Sequence, residues 1–142
     1  MHIEPRYIIG AGGHARVVVD SILQSGSANL RILDAKPANT FGPFLGRFEV
    51  MTLDLTVLAG HSCHVAIGSN EARKQICEEL KKWSANLFSV VHPSGTISRY
   101  GVIGMGCFVA AGSIVGPGAT LGIGTIINHG AVVDHDCRVG EY

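Results

Sequence analysis

The chain has 142 residues, 46% of them hydrophobic and 15% charged, a balance that buries a core and excludes a disordered chain. Eleven Lys and Arg offset eleven Asp and Glu, so no net field attracts nucleic acid or an acidic membrane, and any nucleotide must be gripped locally. Cys63, Cys77, Cys107 and Cys137 include no C-x-x-C pair, which points away from a zinc knuckle or redox motif and towards free thiols in a reducing cytoplasm.

The chain opens on an apolar run of only Tyr7, Ile8 and Ile9, too short for a signal-peptide core, and no export is expected. Residues 6–9 form a β-rich run that enters the glycine turn Gly10-Ala11-Gly12-Gly13-His14-Ala15. Ala15, Val18, Val19, Ile22 and Leu23 then share one helical face, which Gly26 ends. A second strand over 30–33 closes on Asp34, and a third over 64–67 ends at Gly68. Ser69 or Asn70 caps a helix over 71–82, whose Ala72, Ile76 and Leu80 face inward. Strands alternating with helices imply a parallel sheet, here of three or four strands.

Gly10-x-Gly12-x-x-Ala15 between a strand and a helix is a phosphate-loop pattern, because bare backbone lets the N–H groups of a helix N-terminus approach a diphosphate. Gly13 belongs to the same loop. Asp34, at the end of the next strand, stands where a carboxylate accepts hydrogen bonds from a ribose or base. Three or four strands are few for a dinucleotide fold, so a mononucleotide or nucleotide sugar fits better. His14 begins the helix, and either touches phosphate, reaches the neighbouring domain or lies at the surface. Gly68-Ser69-Asn70 repeats the strand-to-helix turn as a second lip of the crevice, while Arg73 reads first as a solvated helix charge.

Composition changes near residue 90. Residues 1–90 hold 17 of the 22 charges, and residues 91–142 hold 11 of the 19 glycines. That shift divides the chain into 1–88 and 89–142 without a polar linker, so the two halves pack directly on each other. The charge-free stretch 102–133 resembles a membrane span only to a sliding window, since its eight glycines and Pro117 oppose a helix. Its apolar positions recur at six. Val91, Ile97, Ile103, Val109, Val115, Leu121, Ile127, Val133 and Val139 are all aliphatic, and the residue four places after each, from Gly95 to Cys137, is small. This is the signature of a hexapeptide parallel β-helix, three strands to a coil. Cys107 and Cys137 occupy the small inward phase and read as buried packing thiols.

The uncharged run ends in Asn128-His129-Gly130-Ala131-Val132-Val133-Asp134-His135-Asp136. In register, Val133 points inward and Asp134 outward, and His135 with Asp136 stands at an exposed corner. A carboxylate holding one ring nitrogen leaves the other as a base near neutral pH, although a surface histidine among charges reads equally well from spacing. His129 and His135 sit on different corners and cannot clasp a metal within one chain, so a zinc site needs histidines of another subunit. No partner is evident for His2, His61, His64 or His92.

These motifs resemble a known family, the bacterial sugar acyltransferases of the PglD/NeuD type, which include UDP-amino-sugar N-acetyltransferases and sialic acid O-acetyltransferases. The likeness runs through Ile8-Ile9-Gly10-Ala11-Gly12-Gly13-His14, Val65-Ala66-Ile67-Gly68-Ser69-Asn70-Glu71-Ala72-Arg73, Val91-His92-Pro93 and the stretch from Asn128 to Glu141. It implies an α/β Rossmann-like unit followed by a left-handed parallel β-helix. It implies His135 as general base, Asp136 orienting it, Asn128 lining the acceptor site, and the glycine loop with Asp34 binding the acceptor's nucleotide. Acetyl-CoA is then the co-substrate, lying between adjacent β-helices of a cytoplasmic homotrimer in surface-glycan synthesis. Members of the family continue for further coils, whereas this solenoid stops within its third, so a truncated form is expected. Two alternatives follow: a nucleotide-sugar-binding fragment without catalysis, and a metal-dependent hydratase at a subunit interface.

Overall fold

The computed structural model describes residues 4–26, 28–37 and 43–142; His2 lies outside them. Five parallel strands form one sheet: β1 (Arg6–Ile9), β2 (Leu30–Asp34), β3 (Val50–Thr52), β4 (Ser62–Val65) and β5 (Asn86–Leu87), in spatial order β3-β2-β1-β4-β5. The sheet thus exceeds the three or four strands expected, because the edge strands β3 and β5 are too short to show a pattern. The third strand also starts two residues early: Ser62 and Cys63 pair with Arg6 and Tyr7, and the last paired residue is Val65, opposite Ile9.

Helix α1 (Gly13–Gln24) buries Ala15, Val18, Val19 and Ile22 against Ile8 and Ile32 on one side of the sheet. Helix α2 (Asn70–Lys82) covers the other side, with Cys77 and Leu80 against Ile9, Leu33, Cys63 and Val65. Its buried stripe runs Arg73, Cys77 and Leu80; Ala72 and Ile76 flank it instead of forming it.

After Leu87 the chain enters a three-sided prism of two-residue strands: β6 (Val90–Val91), β7 (Thr96–Ile97), β8 (Val102–Ile103), β9 (Phe108–Val109), β10 (Ile114–Val115), β11 (Thr120–Leu121), β12 (Ile126–Ile127), β13 (Val132–Val133) and β14 (Arg138–Val139). Every third strand stacks in parallel, giving faces β6-β9-β12, β7-β10-β13 and β8-β11-β14. The aliphatic hexad positions fill the axis, with Val109, Val115, Leu121, Ile127 and Val133 interleaved by Cys107 and Ala119. This is the β-helix that the period of six predicts. Cys107 is buried as expected, but Cys137 is exposed. Its phase buries a side chain only beneath a further coil, and none of the described residues stacks above it.

The face β6-β9-β12 packs on the α/β unit: Val90 and Phe108 join the cluster of Ile8, Val18 and Val19, and Ile126 leans on it. There the prism covers His64, which points to the α1 side of the sheet, lies 1% exposed and shares its Nδ1 with the Phe88 carbonyl at 2.9 Å. Burial pushes the His64 imidazole down to about 4, so it stays neutral in the fold.

Arg73 locks the seam from the other side. Far from being a solvated helix charge, it is 1% exposed. Its Nε donates to the Gly124 carbonyl of the prism at 2.7 Å, its Nη1 to the carbonyls of Ile67 at 2.9 Å and Gly68 at 3.2 Å, and its Nη2 to Asn70 Oδ1 at 2.7 Å.

A glycine-loop crevice and an exposed histidine dyad

The strand order reverses between β1 and β4, and the carboxyl ends of those strands diverge there, the place where open α/β sheets bind ligands. A crevice of about 360 Å³ occupies this point, lined by residues 10–14, Asp34 and residues 66–68. Gly10 is compelled by the fold: φ is +116°, and a Cβ would stand 2.6 Å from the Ala66 carbonyl oxygen. Gly12 is not, for a Cβ there would meet no protein atom within 4 Å. Only something entering the crevice would meet it. Gly12 caps α1 without a side-chain bond, and the first-turn amides of Gly13, His14 and Ala15 have no intrahelical acceptor, so they aim partial positive charge into the crevice.

Asp34 braces this loop: its Oδ2 accepts from Ala11 N at 2.8 Å and its Oδ1 from Lys36 N at 2.8 Å. His14 reaches the prism, its ring edge-on to Phe108 with centroids 5.3 Å apart. Its Nε2 is buried without a partner among the described residues. Burial first, then the positive charge of Arg73 and of a protonated His129, lowers its proton affinity. Gly68 lines the crevice, whereas Ser69 caps α2 by accepting from Ala72 N at 3.4 Å and Asn70 holds Arg73. The second lip is therefore Gly68 with Ile67, and Arg73 is the buried brace beneath it that sequence spacing placed in solvent.

His135 and Asp136 stand elsewhere, at the vertex between the faces β7-β10-β13 and β8-β11-β14. That vertex is opposite the face covered by the α/β unit. One chain does not bring the dyad to its own crevice. His135 Nδ1 and Asp136 Oδ2 are 2.9 Å apart, and both side chains are largely exposed. Asp134 Oδ1 accepts from the His135 backbone N–H at 2.7 Å. The bond to Asp136, then the charges of Asp134 and Asp136, raises the His135 pKa and holds its Nε2 free for a proton.

Asp136 carries a further signal. At the successive corners before it this phase is held by Gly106, Gly112, Gly118, Gly124 and Gly130, all with positive φ; Asp136 keeps φ at +58°, and Tyr142, six residues on, φ at +60°. A side chain tolerated in a glycine slot is costly and worth explaining by function. Gly118, one coil below, supplies the room in which the carboxylate lies. Asn128 is exposed at a third place, the vertex after β12 that borders the covered face. Among the described residues no three His, Cys, Asp or Glu side chains converge to hold a metal, and no helix is long and apolar enough to cross a membrane.

Residues 7–80 match the model of the PglD N-terminal domain family. A UDP-N-acetylbacillosamine N-acetyltransferase of Bacillus subtilis (strain 168) is 32% identical over 108 residues, 73% of this chain and 50% of the relative. The chain therefore spans about half the length of that curated relative. A crystal structure of a GDP-perosamine N-acetyltransferase mutant from Caulobacter crescentus, in complex with CoA and GDP-perosamine, superposes with a TM-score of 0.86 at 36% identity, over 98% of this chain and 67% of that one. The acetyltransferase domain of PglB from Neisseria gonorrhoeae FA1090, in complex with acetyl coenzyme A, gives 0.82 at 30% identity, over 99% and 69%.

Proposed function

Because the chain belongs to the PglD/NeuD-type family of bacterial sugar acyltransferases, we propose that it transfers the acetyl group of acetyl-CoA to the amine of a nucleotide-linked sugar. The observation that carries this reading is the 2.9 Å bond between His135 Nδ1 and Asp136, on an imidazole whose other nitrogen is left as a base. Two of the relatives described above, from Bacillus subtilis and Caulobacter crescentus, are N-acetyltransferases, which supports an amine over a hydroxyl as acceptor. The unprotonated amine attacks the thioester carbonyl, His135 Nε2 takes the proton released as the C–N bond forms, and backbone N–H groups hold the oxyanion. Collapse expels the CoA thiolate, which recovers that proton from His135.

The glycine crevice holds the nucleotide diphosphate, and its two glycines separate folding from binding. Gly12→Ala leaves the thermal midpoint within about 2 °C of the parent, because its Cβ meets no protein atom, yet weakens UDP or GDP binding by about tenfold or more. Gly10→Ala destabilises the fold outright. Calorimetry and thermal denaturation of both variants check this, and undiminished nucleotide affinity in Gly12→Ala would remove the loop from the site.

A protonated His135 is no base, so turnover falls as pH drops through its raised pKa. In Asp136→Asn the largest cause of that rise is gone. The acid limb of the kcat profile then moves to lower pH, while the plateau falls because the ring tautomer is no longer held. An unmoved limb counts against the dyad.

The position of His135 opposite its own crevice supports a homotrimer, in which the imidazole of one subunit serves the acceptor held by the next. Exposed Ile114 and Val132 on one flank of that vertex and Val102 on the other supply apolar surface for such a contact. Free, buried Cys63, Cys77 and Cys107 and the use of acetyl-CoA agree with a cytoplasmic setting.

A further inference from the structure

We propose that His129 is a specificity-determining contact to the acceptor, its Nε2 accepting a hydrogen bond from an amine or hydroxyl of the sugar. This rests on the acetyltransferase reading and adds a residue to its site. The corner formed by Asn128, His129 and Gly130 tops a column of corners along the edge that borders the covered face. Gly130 N donates to the Ala111 carbonyl at 3.0 Å, and Gly112 N one coil below donates to Ser94 Oγ at 3.2 Å. In the lowest corner the His92 ring is spent within the turn, its Nδ1 facing Ser94 N at 3.0 Å and Ser94 Oγ at 2.8 Å. The middle corner is Ala110, Ala111 and Gly112. The top corner alone sets an amide side chain beside its histidine.

Those side chains are oriented before anything binds. Asn128 Oδ1 accepts from the His129 backbone N–H at 2.9 Å, which fixes which end of the amide is oxygen, and the same oxygen lies 3.0 Å from His129 Nδ1. An oxygen opposite a ring nitrogen requires that nitrogen to carry the proton. Neutral His129 is therefore the Nδ1–H tautomer, with the Nε2 lone pair outward and the Asn128 amide presenting N–H donors beside it. His14, on the crevice wall, lies edge-on to Phe108, and Ile126, which leads into this corner, stacks directly on Phe108, so the corner stands beside that wall. His129 thus stands on the crevice side of the prism, whereas His135 stands on the far vertex.

A fixed acceptor beside a fixed donor discriminates among sugars by which hydroxyl or amine can match both. The test compares calorimetric affinities of the full chain for a UDP- or GDP-linked amino sugar with those for free UDP or GDP. His129→Ala is expected to lose about tenfold in affinity for the amino-sugar nucleotide and to keep the parent's affinity for the free nucleotide. His129→Gln, which can again offer a carbonyl acceptor, is expected to recover most of that loss. Equal losses for both ligands, or no loss for either, overturn the contact. A parent protein that binds free nucleotide but gains nothing from the amino sugar overturns it together with the acetyltransferase reading.

Discussion

Acetyl transfer to a nucleotide-linked amino sugar falls by about a thousandfold in the His135→Ala variant, the usual scale for removing a positioned general base. The loss lies in kcat, because the imidazole stands on the prism vertex remote from the crevice of its own chain, so nucleotide affinity and the thermal midpoint stay at parental values. His135 is exposed, and its Nδ1 bond to Asp136 is made at the surface; truncation therefore leaves no buried group unpaired. The geometry adds a second, stricter expectation. If the imidazole of one subunit serves the crevice of the next, oligomers reassembled from His135→Ala and Gly12→Ala chains regain part of the activity that each lacks alone, since some interfaces pair an intact dyad with an intact loop. Reassembled mixtures with no more activity than their parents would place dyad and crevice in one chain, against the observed arrangement of faces. A variant that keeps full turnover removes His135 from the chemistry.

Most of this architecture is written in periodicities, and what escaped was set by contacts that periodicity does not encode. The prism is legible because each coil imposes the same demand at the same phase: an aliphatic at Val109, Val115 and Leu121, something small four places on. A repeated constraint survives single exceptions, and the exceptions then become informative, as Asp136 is after five successive corners that place glycine in its phase. The crevice is legible because Gly10 and Gly12 stand between a clean strand and a clean helix. The edge strand at 50–52 was not, since Met51 and Thr52 are exposed and supply no alternation. Asp34 shows a subtler limit. Spacing places a carboxylate at the strand end, but only coordinates show that it braces Ala11 and Lys36, shaping the loop that the ligand must enter. His14 likewise had three readings in the sequence, and Phe108, 94 residues later, selects the seam.

Arg73 presents the largest gap between pattern and structure, and a measurement decides between them. A solvated helix charge is worth at most about 0.5 kcal/mol, so its removal would move the thermal midpoint by no more than a degree or two. The structure requires far more. Arg73→Met keeps an apolar stem in place but strands the carbonyls of Ile67, Gly68 and Gly124 and the Asn70 amide oxygen without their donor, three of them at one lip of the crevice and one in the prism. Each buried acceptor left unmatched costs on the order of 1 kcal/mol or more, for a total of about 3 to 4 kcal/mol and a midpoint lowered by roughly 10 °C. Arg73→Lys recovers less than half, because a single ammonium cannot span both sides of the seam as the planar fork does. Amide exchange should accelerate most at 67–70 and around Gly124, the two surfaces that the guanidinium bridges. With the lip loosened, nucleotide affinity falls in Arg73→Met even at temperatures where the chain stays folded, a consequence that a charge in solvent could not produce.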